Sequence, residues 1–392
     1  MTVSLKPLGT LCNVKIGRTP RRDSPQYWGG TGIWVTIREL NGGEIQDSRE
    51  HISNAAIAEV MPPPIPAGTL LFSFKLSIGK MAVSGVPLYT NEAIAALEIC
   101  DPGELDRDYL RYALMATSSA AHTNHAVLGQ VLNKAKVEAL PIPLRPLQEQ
   151  RRVVDLLSRA ESIVRMRREA EQKAKEIIPA LFLDMFGDPA TNPKSWEVTT
   201  LGEIIADGPQ NGLYKHADTY GSGTPILRID GFYDGRTRPV TEWRRLRLDP
   251  SDMKRFRLNE GDIVINRVNS PEYLGKSAIV PPLEEPAVYE SNMMRASVSR
   301  EKILPEFVIA YLQTSFARLA LIKNAKHAIN QSSINQGDVK GVPVYVPPLA
   351  HQVAFRSRAA EGRTLEDQQV RATLQAGRMF QSLLAGVFAG AG

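Results

Sequence analysis

The residues whose chemistry can be named are arginines, lysines, asparagines and glutamines set in glycine-punctuated loops. Arginine or lysine donates to the O6/N7 edge of guanine or to phosphate, and asparagine or glutamine matches the edge of adenine. One such region holds Gly17-Arg18-Thr19-Pro20, Tyr27-Trp28-Gly29-Gly30 and the strand-like run Ile33-Trp34-Val35-Thr36-Ile37, with Lys15, Arg21, Arg22 and Arg38 beside them. A second holds Gln210-Asn211-Gly212-Leu213-Tyr214-Lys215, Gly221-Ser222-Gly223-Thr224-Pro225-Ile226-Leu227-Arg228 and Asn266-Arg267-Val268-Asn269-Ser270. The candidate DNA contacts are Arg18, Thr19, Arg21, Arg22, Arg38 and Lys80 in the first region. In the second they are Asn211, Tyr214, Lys215, Arg228, Asn266, Arg267 and Lys276. Arg18, Arg228 and Arg267 stand out because they lie inside turn motifs. Lys80 and Lys276 follow glycine at matching places in the two halves, which suits a shared phosphate contact.

Catalytic patterns fail one by one. Gly275-Lys276-Ser277 ends like a phosphate-binding loop, but Ser270 stands where its first glycine belongs. Gly221-Ser222-Gly223 lacks the third glycine of a dinucleotide fingerprint, and Met61-Pro62-Pro63-Pro64 does not replace an adenine-methyltransferase motif. Asp252-Met253-Lys254 imitates part of a nuclease core without an upstream acidic partner. His122 and His125 offer two metal ligands and no third. The chain reads as a binder, with no catalytic and no metal residues assigned.

What positions these loops is a duplication. Leu140-Pro141-Ile142-Pro143-Leu144-Arg145-Pro146-Leu147-Gln148-Glu149-Gln150 matches Val342-Pro343-Val344-Tyr345-Val346-Pro347-Pro348-Leu349-Ala350-His351-Gln352. The match extends without a gap from Leu132-Asn133 with Ile334-Asn335 to Phe186 with Phe388. Earlier, Leu8-Gly9 pairs with Leu201-Gly202, and Gly68-Thr69-Leu70-Leu71-Phe72 with Gly261-Asp262-Ile263-Val264-Ile265. Residues 10–60 and 203–255 share almost nothing. Divergent loops on a common frame suggest that each half recognises something different.

Each half ends in a proline-rich strand and a long helical pattern. In residues 147–187, Val153, Leu156, Ala160, Ile163, Arg167, Ala170, Ala174, Ile177 and Leu181 alternate spacings of three and four, a heptad seam. Pro146 and Pro348 precede the two helices, and Pro179 is expected to kink or end the first near Ile178. The second seam, Phe355, Leu365, Ala372, Ala376, Met379 and Leu383, is interrupted by Arg358, Gly362 and Gln369. Two such helices at equivalent points favour an antiparallel pair, each ~55–60 Å long at 1.5 Å per residue.

The 392 residues suit two domains plus connectors, and 43% apolar with 23% charged residues is typical of a folded soluble chain. No apolar run approaches a membrane span, and the N-terminus lacks a signal-peptide layout. Two isolated cysteines suit a reducing compartment, so a cytoplasmic protein is expected. A net charge of +5 permits a polyanionic partner without demanding one.

Pro-Ile-Pro-Leu-Arg-Pro-Leu-Gln-Glu-Gln at 141–150, Leu181-Phe182-Leu183-Asp184-Met185-Phe186-Gly187-Asp188-Pro189, the Gly17-to-Trp34 stretch and Gly261-Asp262-Ile263-Val264-Ile265-Asn266-Arg267 carry a family resemblance. Over essentially its whole length the chain resembles the specificity subunit of type I restriction-modification systems. The resemblance implies an α+β fold: two mixed α/β target recognition domains in pseudo-two-fold arrangement, separated by a pair of long antiparallel coiled-coil helices. Residues 1–145 and 191–347 would be the recognition domains, and 146–190 and 348–392 the spacers. Each domain would read one half of a split site in double-stranded DNA. The helices would set the spacer and dock two methyltransferase subunits, and motor-nuclease subunits through them. S-adenosylmethionine, ATP and magnesium would belong to those partners, with no cofactor on this chain. Two departures stand out: His351 occupies the place of Glu149, and the second helix is interrupted. A specificity-like scaffold of another DNA-modification or defence assembly, a protein-binding scaffold and an enzyme fragment are the alternatives.

Overall fold

The structure is a computed structural model that describes residues 4–75, 77–123, 133–328 and 331–389. The chain forms two compact units, Met1–Arg168 with Ala372–Gly392, and Glu169–Arg371. The two halves of the duplication are built on one plan.

In the first unit a five-stranded sheet runs Cys12–Ile16, Ile94–Ile99, Leu70–Ser73, Met81–Ser84, Glu44–Ile45. In the second the order is Ile205–Asn211, Met293–Val298, Ile263–Asn266, Ser277–Ile279, Gly235–Thr237, with Phe232–Tyr233 added at the edge. The central strands Leu70–Ser73 and Ile263–Asn266 are buried at every position. They lie between two cores, which is why they are continuous apolar runs rather than alternating ones. Leu70 and Phe72 face one core and Leu71 the other; Ile263 and Ile265 face one and Val264 the other. The glycines before these strands, Gly68 and Gly261, both have φ +82°, a turn conformation that a side chain disfavours.

A three-stranded sheet accompanies each large one: Glu50–Ile52, Trp28–Val35 and Tyr89–Thr90 in the first unit, Arg244–Leu246, Tyr220–Leu227 and Val288–Tyr289 in the second. Even an irregularity recurs. Trp28 and Gly32 both oppose Ile52, and Tyr220 and Thr224 both oppose Leu246. Residues 10–60 and 203–255 therefore share a fold that their sequences do not display. The buried positions keep the pleat while the exposed ones diverge.

The two long helices are Leu147–Phe186 and Leu349–Phe388. The first runs through Pro179 instead of ending at Ile178. Proline removes one helical bond, to the carbonyl of Lys175, and both residues lie on the exposed face of the helix. The residues beyond it, Phe182 and Phe186, are held in an aromatic cluster with Phe307 and Phe355 at centroid distances of 4.8 to 5.8 Å.

Parts of each seam fall one position later than the heptad reading places them, while Ala174 and Phe355 are buried and Val153, Ala160, Ala376 and Leu383 pack as read. Leu157 and Val164 are 0% and 8% exposed, whereas Leu156 and Ile163 are 46% and 50% exposed. In the second helix Phe380 is buried in place of Met379, and Leu365 faces outward. The pairs Leu156-Leu157 and Ile163-Val164 admit two phases. Tyr112 of the helix Arg107–Thr123 selects one by packing with Leu157 and Val164, while its hydroxyl donates to Glu161 at 2.9 Å.

In each unit the helical segments run antiparallel. In the first, Arg145 Nη2 donates to the carbonyl of Val387 and Thr373 Oγ1 to that of Arg167. In the second, Phe182 meets Phe355 and Gly362 meets Ile178. A Cβ on Gly362 would lie 3.2 Å from Ile178 Cγ1, so this apparent interruption is a point of close approach. Arg358 is exposed and lies outside the seam. Among the described residues, no helix is long and apolar enough to cross a membrane. Leu132 and His125 lie outside the described residues, and the side chain of His122 is not described.

Candidate nucleic-acid interface

In the first unit, residues 17–23 form a loop pinned from below by two indoles. Trp34 Nε1 donates to the carbonyl of Arg18 at 3.0 Å and Trp28 Nε1 to that of Arg21 at 3.1 Å. The rings meet edge to face, 5.0 Å apart. The Arg22 guanidinium lies 4.1 Å over Trp28 and 4.7 Å over Trp34 and is paired with Glu50. That bond raises Arg22 above its ordinary range and lowers Glu50. Thr19 Oγ1 donates to Glu92, which this bond lowers, and Arg21 pairs with Asp23 at 3.0 Å on the surface. Arg18 donates to the carbonyl of Val60 at 3.1 Å. Arg38 and Lys80 are exposed, and neither side chain has a hydrogen bond or ion pair among the described residues.

In the second unit, Asn211 is exposed at the end of its strand, followed by Tyr214, which is 74% exposed. Lys215 pairs with Asp252 at 2.8 Å and lies 3.8 Å from Asp249, and the bond to Asp252 raises its pKa. Arg228 Nε donates to Glu290 at 3.1 Å, and Glu290 also accepts from the backbone of Ile229. Arg267 Nη1 donates to the carbonyl of Ser291 at 3.0 Å. Asn266 is fully buried, and among the described residues its amide has no hydrogen-bond partner. Lys276 donates to the carbonyl of Ile229 and sits 4.0 Å over Tyr233, 4.8 Å over Phe232 and 5.6 Å over Tyr273. Burial pushes its pKa down to about 8; Asp230 opposes the shift and Arg238 reinforces it. Lys80, its counterpart, is exposed, so the two lysines occupy different surroundings.

Thus Arg18, Thr19, Arg21 and Arg22 come together on one loop. Arg228 and Lys276 meet at Ile229, and Tyr214 and Lys215 share a turn. Three of these cations, Arg22, Lys215 and Arg228, are spent on acids that are distant in sequence. The sequence reading passed over Trp243-Arg244-Arg245-Leu246-Arg247, a basic run at apolar spacing. Arg245 in it pairs with Glu285, while Arg244 is exposed.

The family model for the type I restriction modification DNA specificity domain matches residues 2–176 and again 193–355. The putative type I restriction enzyme MjaX specificity subunit of Methanocaldococcus jannaschii is 33% identical over 162 residues, 41% of this chain and 37% of that protein. The type I restriction enzyme EcoKI specificity subunit of Escherichia coli is 26% identical over 297 residues, 71% of this chain and 62% of that protein. The matched region thus spans less than two thirds of either relative. Among solved structures, a chain from work on complex assembly and conformational transition of the type I R-M system superposes with a TM-score of 0.63 at 18% identity, covering 100% of this chain and 98% of that one. The type I restriction-modification S subunit from M. genitalium gives 0.52 at 14% identity, covering 98% of each. At such identities the likeness is one of fold. The family model covers most of the chain in two copies, one per half of the duplication, and the chain belongs to the type I restriction-modification DNA specificity family.

Proposed function

We propose that this chain is the sequence-reading, non-catalytic subunit of a type I restriction-modification assembly in the cytoplasm. Residues 1–145 and 191–347 are target recognition domains, each reading one half of a bipartite, gapped site in duplex DNA. Residues 146–190 and 348–392 set the spacer and dock two methyltransferase subunits. Those partners bring S-adenosylmethionine, and motor-nuclease subunits bring ATP and magnesium. The observation that carries this reading is the repeated sheet order with unlike polar residues on equivalent loops. One scaffold used twice with different surface chemistry suits two different half-sites.

Among the exposed members of the candidate set, Arg18, Arg21, Arg38, Lys80, Asn211 and Tyr214 contact DNA. Arg22, Lys215, Arg228, Arg267 and Lys276 hold the loops that present them. Docking is supported by Leu156, Ile163 and Met166, three exposed apolar residues spaced seven and three apart on one helix face. The test is the methylome of cells expressing the chain with its methyltransferase. A split adenine-methylated motif is expected, and exchanging residues 1–145 for those of another family member changes one half of it. A continuous, ungapped motif refutes the two-reader assignment.

A further inference from the structure

Beside the Arg228–Glu290 pair, a cavity of about 80 Å³ in the second unit is lined by Arg228, Asp230, Arg238, Glu242, Trp243 and Arg244. It is far smaller than the ~300 Å³ at which pockets begin to enclose whole ligands, so only an edge of a larger molecule fits. Its charged groups divide into two kinds. Arg228 is committed to Glu290. The side chains of Arg238 and Arg244 have no hydrogen bond or ion pair among the described residues, although Asp230 and Glu242 line the same cavity. Two guanidiniums and two carboxylates are thus presented side by side without neutralising each other.

Their backbone is held firmly. Trp243 is buried, and its indole N–H donates to the carbonyl of Arg238 at 2.9 Å, closing the loop between them. Arg245 clamps the next residue, donating to the carbonyl of Gly223 at 2.7 Å and pairing with Glu285. Leu246 is buried. Arg244 and Glu242 therefore project from fixed positions on either side of an anchored tryptophan, the preorganisation that a reading site needs.

A bare phosphate is all acceptor, and the two carboxylates would repel it. The major-groove edge of a G·C pair is different: guanine offers O6 and N7 as acceptors, and cytosine offers its N4 amino group as a donor. We propose that this cavity reads a G·C pair in the half-site of the second domain, with Arg238 and Arg244 donating to guanine O6 and N7 and Glu242 accepting the one N4 hydrogen of cytosine that base pairing leaves free. The proposal rests on the DNA-reading function proposed above. It adds a base pair and names residues that lie outside the loops the glycine pattern marks.

The test selects bound sequences from a random duplex pool with the full chain, and then measures binding of the selected duplex by anisotropy across a KCl series. The wild type is expected to select a G·C pair at one position. Arg244→Gln and Glu242→Gln should each relax that position about tenfold, leaving the salt slope and the melting temperature unchanged. Arg244→Lys retains the charge without the bidentate fork and should recover only part of the discrimination. A uniform loss of affinity with the slope reduced by about 0.9 assigns Arg244 to phosphate and overturns the proposal, as does unaltered selection by the Arg238→Gln/Arg244→Gln variant. In both cases DNA reading itself stands. A wild type with no salt-dependent binding to any duplex removes that reading and this proposal with it.

Discussion

Replacing Gln352 with leucine keeps the size of the side chain and removes a clamp at the start of the second long helix. Gln352 is fully buried. Its Oε1 accepts from the backbone N–H of Leu304 at 2.8 Å, and its Nε2 donates to the carbonyls of Pro347 at 2.7 Å and Lys302 at 3.4 Å. Leucine leaves the first two backbone groups buried and unpaired, at about 1–3 kcal/mol each, while the long third bond contributes little. The expected cost is about 3 kcal/mol. With an m-value of about 2 kcal/mol/M in urea, the second unit's midpoint falls by about 1.5 M. Hydrogen exchange on the full chain adds a local readout, because the Leu304 amide should lose protection. Gln150 provides an internal comparison. It makes three bonds of 2.7 to 2.8 Å, to Asp106, Glu104 and Arg145, so Gln150→Leu should cost more than Gln352→Leu. A midpoint shift below about 0.3 M, unchanged exchange at Leu304 or the reverse ranking of the two variants would refute the reasoning.

Gly362→Leu should lower the melting temperature through about 1–3 kcal/mol of overpacking against Ile178, whereas Gly377→Ala, with no atom within 4 Å of its Cβ, should not. Lys276 is pushed down to about 8 from an ordinary value of 10.5, so between these values the unfolded chain binds more protons. The wild type should gain stability relative to Lys276→Met as pH rises from 8 to 10.5, with the difference constant below 8; paired urea titrations across that range check it. Burial pushes the Cys12 thiol up to about 12, helped by Cys100, while Cys100 is exposed. Iodoacetamide should therefore label Cys100 in the native chain and reach Cys12 only after unfolding, as read by peptide mass spectrometry.

The scaffold was legible wherever a residue's role is local. The duplication matched the segments that hold Leu70–Ser73 and Ile263–Asn266, and the matched proline-rich segments marked the strands Pro141–Leu144 and Pro343–Tyr345 and the helices after them. Helix phase was not legible, because adjacent apolar residues such as Leu156 and Leu157 fit either register until Tyr112 covers one of them. Kinship between the loop regions was hidden as well, since a register slip at Trp28 or Tyr220 depends on strand pairing and not on residue type. Surface chemistry was the least accessible. An arginine in a glycine-rich turn looks available until a carboxylate from 28 or 62 residues away, Glu50 or Glu290, is found beside it.

The first unit takes residues from both extremes of the sequence, with Phe380 and Leu384 packing beside Leu157 and Phe388 lying 5.5 Å from Tyr109. A chain emerging from the ribosome reaches the helix around Leu157 more than two hundred residues before those partners exist. Glu169–Arg371 is contiguous and can be completed before that strip is covered. The segment begun earliest must hold an open apolar strip, exposed to chaperones and to misassembly, until nearly the last turn of helix has been made. Order of synthesis and order of completion are thus reversed.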